Sequence, residues 1–351
     1  MQPTTRKSHI DILRIIAAFF VVYIHTSAYS IFETTTGFRA SFYIAISVIA
    51  KTSVPIFFMI SGALLLNKEE TIGTILKKRF SRIAIVLFLF CIALYVITLP
   101  DGTSFSLLSF LRSFCSETVP HAFPYWFLYA YLGLILMLPY LRRIVKEMTQ
   151  TDFIYILILH FLISTLLPIV NYILITKGFA ELQIAPHFSI PIAIENILFY
   201  PIMGYWLEHK WDNNKMHMPL ILTLIGVILI SIATSCLLTI GYKQHLGNST
   251  HKYLVIFDYL LAFCVYILSK KISAKIPCKA SKIISFCAQL TLGIYLFDPV
   301  WKRVFYNDFY YAVADKLTIV KISLIWCIIS VVISSIVTYI LKKIPYIKKL
   351  F

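Results

Sequence analysis

Eight ionisable side chains stand inside long apolar runs of this sequence: Asp11, Arg14, His25, Lys51, His160, Glu195, Asp258 and Asp298. A charge held in hydrocarbon costs on the order of 3 kcal/mol on insertion scales, so each is a functional-site candidate. Three of them share the first run. At about 100° per residue, Asp11, Arg14, Ala18 and His25 fall within about 60° of one helix face, which must look into a bundle. Asp11 and Arg14, three residues apart, can also simply pair with each other. His25 lies about 16 Å further along the axis than Arg14, so the polar stripe extends over most of the run. An imidazole with an ordinary pKa near 6.5 suits general-base work or transient carriage of an acyl group. A lone buried histidine is more often a hydrogen-bonded core residue; its alignment with Arg14 is what favours chemistry here.

Depth adds a second constraint. Glu195 and Asp258 lie near the start of runs that begin on the side of the membrane where the first run ends, and Asp298 near the end of a run that finishes there, so they share a level with His25. A carboxylate beside an imidazole fixes its tautomer and stabilises imidazolium, which makes Glu195 and Asp258 candidate catalytic partners of His25. The alternative for both is that they sit near the headgroups and are wet. His160, Lys51 and Asp298 receive no role. Outside the runs, Lys77-Lys78-Arg79-Phe80-Ser81-Arg82 places Arg79 and Arg82 on one side of a helix start. Backbone N–H groups favour anions there, which suggests a phosphate clamp. Basic residues at such ends are also expected from the distribution of positive charge across membranes alone.

The elements that must position these groups follow from composition. The 351 residues are 59% hydrophobic, with a mean hydropathy of +0.82, more apolar surface than a soluble core holds. Runs at roughly 10 to 29, 42 to 66, 82 to 99, 125 to 141, 153 to 175, 190 to 207, 219 to 240, 253 to 269, 283 to 301 and 318 to 341 are each long enough to span a bilayer. The expectation is an all-α polytopic membrane protein with ten transmembrane helices, forming one integral-membrane domain over residues 1–351. Asp11 and Arg14 interrupt the first run and no small-residue cleavage site follows, so it reads as a retained span and not as a signal peptide. Pro55 and Gly62 in the second run predict a bent helix that packs closely.

Of 32 Lys and Arg residues, 21 lie on one set of alternate loops and eight on the other, with three inside spans. That bias places both termini in the cytoplasm of a plasma-membrane protein. It also accounts for the net charge of +16: cytoplasmic basic loops face anionic lipids, and nucleic acid is not expected as a partner. The seven cysteines form no CxxC pair and five fall in apolar runs, so neither a disulfide framework nor a metal site is expected.

Several spaced motifs resemble the acyltransferase family 3 membrane proteins, which modify cell-envelope glycans and related acceptors. They are Arg14 and His25 as Arg, ten residues, His; Arg79 and Arg82 as Arg-x-x-Arg; residues 57 to 65 as Phe-Phe-x-Ile-Ser-Gly-x-Leu-Leu; Trp126 to Leu128; and Gly293 to Leu296 as Gly-Ile-Tyr-Leu. Two positions depart from the pattern. Asp298 and Tyr125 stand where family members often carry histidine, so no histidine role passes to them. The resemblance implies acyl transfer from cytoplasmic acyl-CoA, acetyl-CoA foremost, to a hydroxyl of an envelope glycan or lipid-linked saccharide on the outer side. Asp11, Arg14, Arg79 and Arg82 would hold the donor and His25 would do the chemistry, reached through a water-lined passage beside the first helix; a homo-oligomer is compatible with this reading. The competing reading is a polytopic transporter of a small polar solute or amino acid such as serine, in which the buried ionisable groups form a proton-coupled site. A family branch fused to a racemase suggests it. The matched broken helices common in such transporters are not evident, since Pro55 to Gly62 has no counterpart in the second half.

Overall fold

A computed structural model describes residues 7–185, 187–211, 218–247 and 251–351; Arg6 and Lys215, two of the basic residues behind the orientation, lie outside them. The described residues form helices and no strands, as backbone groups without water require. The main helices are α1 (Ser8–Ile24), α2 (Gly37–Leu65), α3 (Ile72–Ile97), α4 (Phe123–Glu147), α5 (Gln150–Thr176), α6 (Asn196–Tyr205), α7 (Met218–Leu246), α8 (Asp258–Ser273), α9 (Thr291–Val313) and α10 (Ile319–Leu341). Among the described residues, seven helical stretches are long and apolar enough to cross a membrane: α2, α3, α4, α5, α7, α10 and Lys252–Ser273, which contains α8. The number rises to nine if two bent pairs each count as one span: α1 with Ser27–Glu33 at 62°, and Cys278–Ala288 with α9 at 42°.

The sixth apolar run differs from expectation. Pro191–Ile194 makes one short turn, Glu195 adopts an extended backbone at ψ 122, and α6 follows with ten residues. Glu195 is therefore exposed in a break rather than held inside a span. Its carbonyl accepts the N–H groups of Leu198 and Phe199, both at 2.9 Å, so its main chain starts α6 while its side chain makes no cap.

The chain divides into two compact units. The first comprises Met1–Lys68 with Tyr140–Ser285, the second Glu69–Pro139 with Phe286–Phe351. In the first unit the closest helix crossing is between α2 and α6. A Cβ on Gly62 would lie 1.9 Å from the Pro201 carbonyl oxygen, and one on Gly204 would lie 2.1 Å from that of Met59. Each glycine admits the other helix's backbone, which is the close approach that small residues allow in membranes. The end of α2 is then satisfied from outside: Arg142 Nε donates to the Leu65 carbonyl at 3.0 Å and a ring nitrogen of His209 meets the Ala63 carbonyl at 2.8 Å. A cation at the last carbonyls also suits the negative end of the helix.

In the second unit the Trp126 and Gly293 motifs tie α4 to α9 by a reciprocal pair. Tyr125 Oη donates to the Leu296 carbonyl at 2.6 Å, and Tyr295 Oη to the Pro124 carbonyl at 2.5 Å. Tyr125, standing where family members often carry histidine, is thus a fully buried structural phenol. Gly293 makes room for Thr338 of α10, whose Oγ1 would lie 1.8 Å from an added Cβ. Asp298 is 1% exposed and accepts from Ser330 Oγ at 2.8 Å, a hydrogen bond that offsets part of its burial.

Candidate membrane acyl-transfer site

α1 builds the first element of the site. Leu13, Ala17 and Val22 are fully buried, Asp11 and Ala18 are 2% exposed, and Ile16, half a turn from the polar face, is 39% exposed. The inward face therefore carries Asp11, Arg14 and Ala18 together. Arg14 Nη1 lies 3.8 Å from Asp11 Oδ1, the intrahelical pair that their spacing allows. His25 is the C-cap of α1 rather than a residue within it; its N–H reaches the Val22 carbonyl at 3.2 Å and its side chain is half-buried. The helix ends there because Thr26 turns extended and its hydroxyl takes the Tyr23 carbonyl at 2.7 Å.

Neither expected carboxylate hydrogen-bonds to His25. Asp258, in the first turn of α8, accepts from the buried Tyr200 Oη of α6 at 2.9 Å and from the backbone of Tyr259. The cation acting on it electrostatically is Lys51 of α2, whose ammonium also lies 5.2 Å from the Tyr29 ring centroid. Sequence spacing could not reveal this trio, because its members come from three helices.

His160 now has surroundings. It is 3% exposed, its Nδ1 lies 2.6 Å from the Ala193 carbonyl, and it stacks on Phe199 at 3.8 Å between ring centroids, with Tyr259 edge-on at 4.6 Å. The carbonyl it meets belongs to the short turn before Glu195, which makes it a brace for the broken sixth run.

A polar cluster around Glu208 escaped the sequence reading altogether. Glu208, in a π-helical turn after α6, is bound by Lys7 Nζ at 2.5 Å, by a ring nitrogen of His9 at 3.0 Å and by Tyr266 Oη at 2.9 Å, with Lys270 Nζ at 3.5 Å. Its side chain is 4% exposed. Burial opposes its charge, but the hydrogen bonds from His9 and Lys7 and the charge of Lys270 outweigh it and hold the carboxyl well below the usual carboxylate range. Lys7 is the N-cap of α1, so Glu208 also places an anion at the positive end of that helix.

The arginine pair of the second unit departs from expectation in position. α3 begins at Ile72, with Thr71 as its cap, so Arg79 and Arg82 lie about two turns inside it, away from the unpaired N–H groups. Arg79 occupies a π-helical turn and makes a two-pronged pair with Glu70, at 2.6 and 2.8 Å. Arg82 Nε donates to the Leu350 carbonyl at 3.0 Å. Among the described residues no cluster of three histidine, cysteine or acidic side chains could hold a metal ion, and the seven cysteines are unpaired.

An all-helical polytopic chain with buried ionisable groups along its first helix defines a membrane protein whose interior is built for polar chemistry. The family model described as the acyltransferase domain of acyltransferase family 3 matches residues 8–343. The chain belongs to that family, and the fold and the family together make it a membrane acyltransferase. Neither the curated proteins nor the solved structures give a match.

Proposed function

We propose that this acyltransferase moves an acetyl group from cytoplasmic acetyl-CoA to a hydroxyl of an extracytoplasmic glycan or lipid-linked saccharide. It does so as a ten-span plasma-membrane protein with both termini in the cytoplasm. The observation that carries the reading is the inward face of α1, where Asp11 and Arg14 precede His25 in a chain of this family. Arg14, steered by Asp11, and Arg79 with Arg82 hold the donor. Each arginine already has a partner, so donor phosphates compete with Asp11, with Glu70 and with a main-chain carbonyl; a doubly charged phosphate is the stronger acceptor for a guanidinium.

The chemistry falls to His25. Acting as general base, its imidazole takes the proton of the acceptor hydroxyl while that oxygen attacks the thioester carbonyl. The C–S bond then breaks, and the proton passes to the departing CoA thiolate. In the acyl-carrier route the imidazole nitrogen attacks the thioester carbonyl and the C–S bond breaks to release CoA thiolate; the hydroxyl oxygen then displaces the imidazole from the acyl carbon, its proton passing to the freed ring nitrogen. Asp258, held by Tyr200 and near Lys51, serves as the half-buried carboxylate of the site, and exposed Glu195 lies at its rim. Purified protein with His25→Ala tests the assignment: transfer from labelled acetyl-CoA is lost by about 10²-fold or more with the fold intact. A fully active variant would falsify it. Glutamate at Arg79 and Arg82 raises the KM for acetyl-CoA; an unchanged value removes the clamp. A transporter would retain no labelled acetyl-CoA at all.

A further inference from the structure

In the second unit, the bend before α9 and the end of α10 enclose a half-open cavity of about 240 Å³. Phe286 lines it from the last turn before the bend, Gln289 and Leu290 form the bend itself, and Tyr339, Lys342 and Lys343 come from the last turn of α10 and the two residues after it. Phe286 and Tyr339 meet edge-on at 5.7 Å, Lys343 Nζ stands 4.7 Å from the Tyr339 ring centroid, and Lys342 Nζ donates to the Gln289 carbonyl at 3.0 Å. The described lining thus holds two ammoniums, two aromatic rings and a carboxamide, and no acid. Cations suit the negative end of a helix, which accounts for the lysines but not for the cavity they line. On the same side of α10, in the two turns before Lys343, Ile336 and Ile340 are 54% and 55% exposed. In a helix that crosses a membrane such a face meets acyl chains, so a cationic cavity adjoins a lipid-facing apolar strip.

We propose that this cavity binds the headgroup of an anionic phospholipid of the cytoplasmic leaflet. The cytoplasmic placement of the termini proposed above supplies the leaflet; the chemistry of the site depends neither on it nor on acyl transfer. The phosphate lies against Lys342 and Lys343, and the acyl chains follow Ile336 and Ile340 into the hydrocarbon. A headgroup of net negative charge is selected, because a choline or ethanolamine group brings a further cation to two lysines. The cavity is smaller than the roughly 300–1,000 Å³ of sites that enclose a drug-sized ligand, so it takes a headgroup and not the whole nucleotide of a CoA. A lipid seated there bridges the bend before α9 to the end of α10. Those two helices are otherwise joined by Gly293 against Thr338 and by Trp301 Nε1 on Ser334 Oγ at 3.0 Å. By mass action the lipid stabilises the folded chain.

The test uses the full purified chain in detergent, with dioleoylphosphatidylglycerol and dioleoylphosphatidylcholine as probes and native mass spectrometry to count bound lipid. The unaltered chain retains phosphatidylglycerol in preference. Lys342→Gln with Lys343→Gln weakens that binding about tenfold or more, since each ammonium near a membrane surface is worth about fivefold. Lys348→Gln with Lys349→Gln removes the same charge from exposed residues outside the cavity and changes binding by no more than about twofold. If the first double variant fails to fold, exposed Lys343→Gln alone carries the test, with a loss of about fivefold. Equal losses in the two pairs overturn the site in favour of a diffuse surface charge, and equal retention of the two lipids overturns the selection of an anion. Displacement of phosphatidylglycerol by inorganic phosphate makes the ligand a free anion. Weakened acetyl-CoA binding in the Lys342 and Lys343 variant, with its lipid binding intact, gives the cavity to the donor; either result overturns the proposal. Lipid selection by a chain that transfers no acetyl group upholds this site and overturns the reaction alone.

Discussion

Two acids of the first unit, the deeply buried side chain of Glu208 and the half-buried Asp258, stand where helix ends meet and are treated very differently. Glu208 is gripped by a phenol, an imidazole and a lysine within 3.0 Å, with a second lysine at 3.5 Å, and these partners come from both ends of the unit's sequence. Asp258 has one side-chain hydrogen bond, from Tyr200, and one cation, Lys51, that acts on it without an ion pair. A carboxylate with that many donors has its desolvation offset and its geometry over-determined, so it behaves as a lock. A carboxylate with one phenol donor, one backbone donor and a nearby ammonium keeps lone pairs available for a substrate or a proton. The difference separates what holds the fold from what remains open to chemistry within one set of packed helices. It also locates the lock at the start of α1, so Glu208 anchors the helix that carries Arg14 and His25.

The sharpest way to break this comparison is to remove the lock. Glu208→Ala leaves Lys270 buried without its counter-charge and should cost about 3–5 kcal/mol, read as a large fall in thermal midpoint in detergent. A loss below about 1 kcal/mol would mean that the cluster is no lock. Acid should act on the same group. Its folded pKa is depressed, so its contribution is complete above the unfolded carboxylate value near 4.3 and is lost as pH falls through the folded value. Thermal stability should therefore begin to lose the Glu208 share as pH falls below about 4.3 and go on losing it until the folded value is passed, and a Glu208→Gln protein should lack that acid limb. If wild type and variant lose stability in parallel, the assignment of the limb to Glu208 is wrong.

At Asp258 the signs reverse. Asp258→Asn keeps the shape and the Tyr200 contact, so stability should change by no more than about 1 kcal/mol, while acetyl transfer falls far more than the fold does. A variant that melts early yet transfers normally would place Asp258 among the structural groups. The smallest effect is expected for Tyr200→Phe, about 0.5–1.5 kcal/mol for one hydrogen bond, with its transfer defect no larger than that of Asp258→Asn. A defect larger than that would shift the role to the phenol.

Much of this could be read before any folding was known. Runs of apolar residues mark helices because bilayer thickness sets their length, and nine of the ten anticipated runs appear as long helices or bent pairs. The sixth does not appear as one long helix, since Pro191 starts a turn and Glu195 breaks it, which hydropathy averages away. The polar face of α1 was legible because helical period is local. The approach of α2 was legible in Gly62, but its matching Gly204 was not, because the two meet only where the helices cross. Arg79 and Arg82 were placed at a helix start by the onset of hydrophobicity, whereas the chain is already helical from Ile72.

Which residues lie in helices, and which side chains are too costly to bury without a purpose, were set by composition and period, since both act between residues a few positions apart. Which acid is tied down and which is left open was decided only by packing. Lys7 and Glu208 are 201 positions apart, and Tyr200 reaches Asp258 across 58. Hydrogen bonds of that reach depend on distances of a few ångströms between separate helices, which no pattern along the chain encodes.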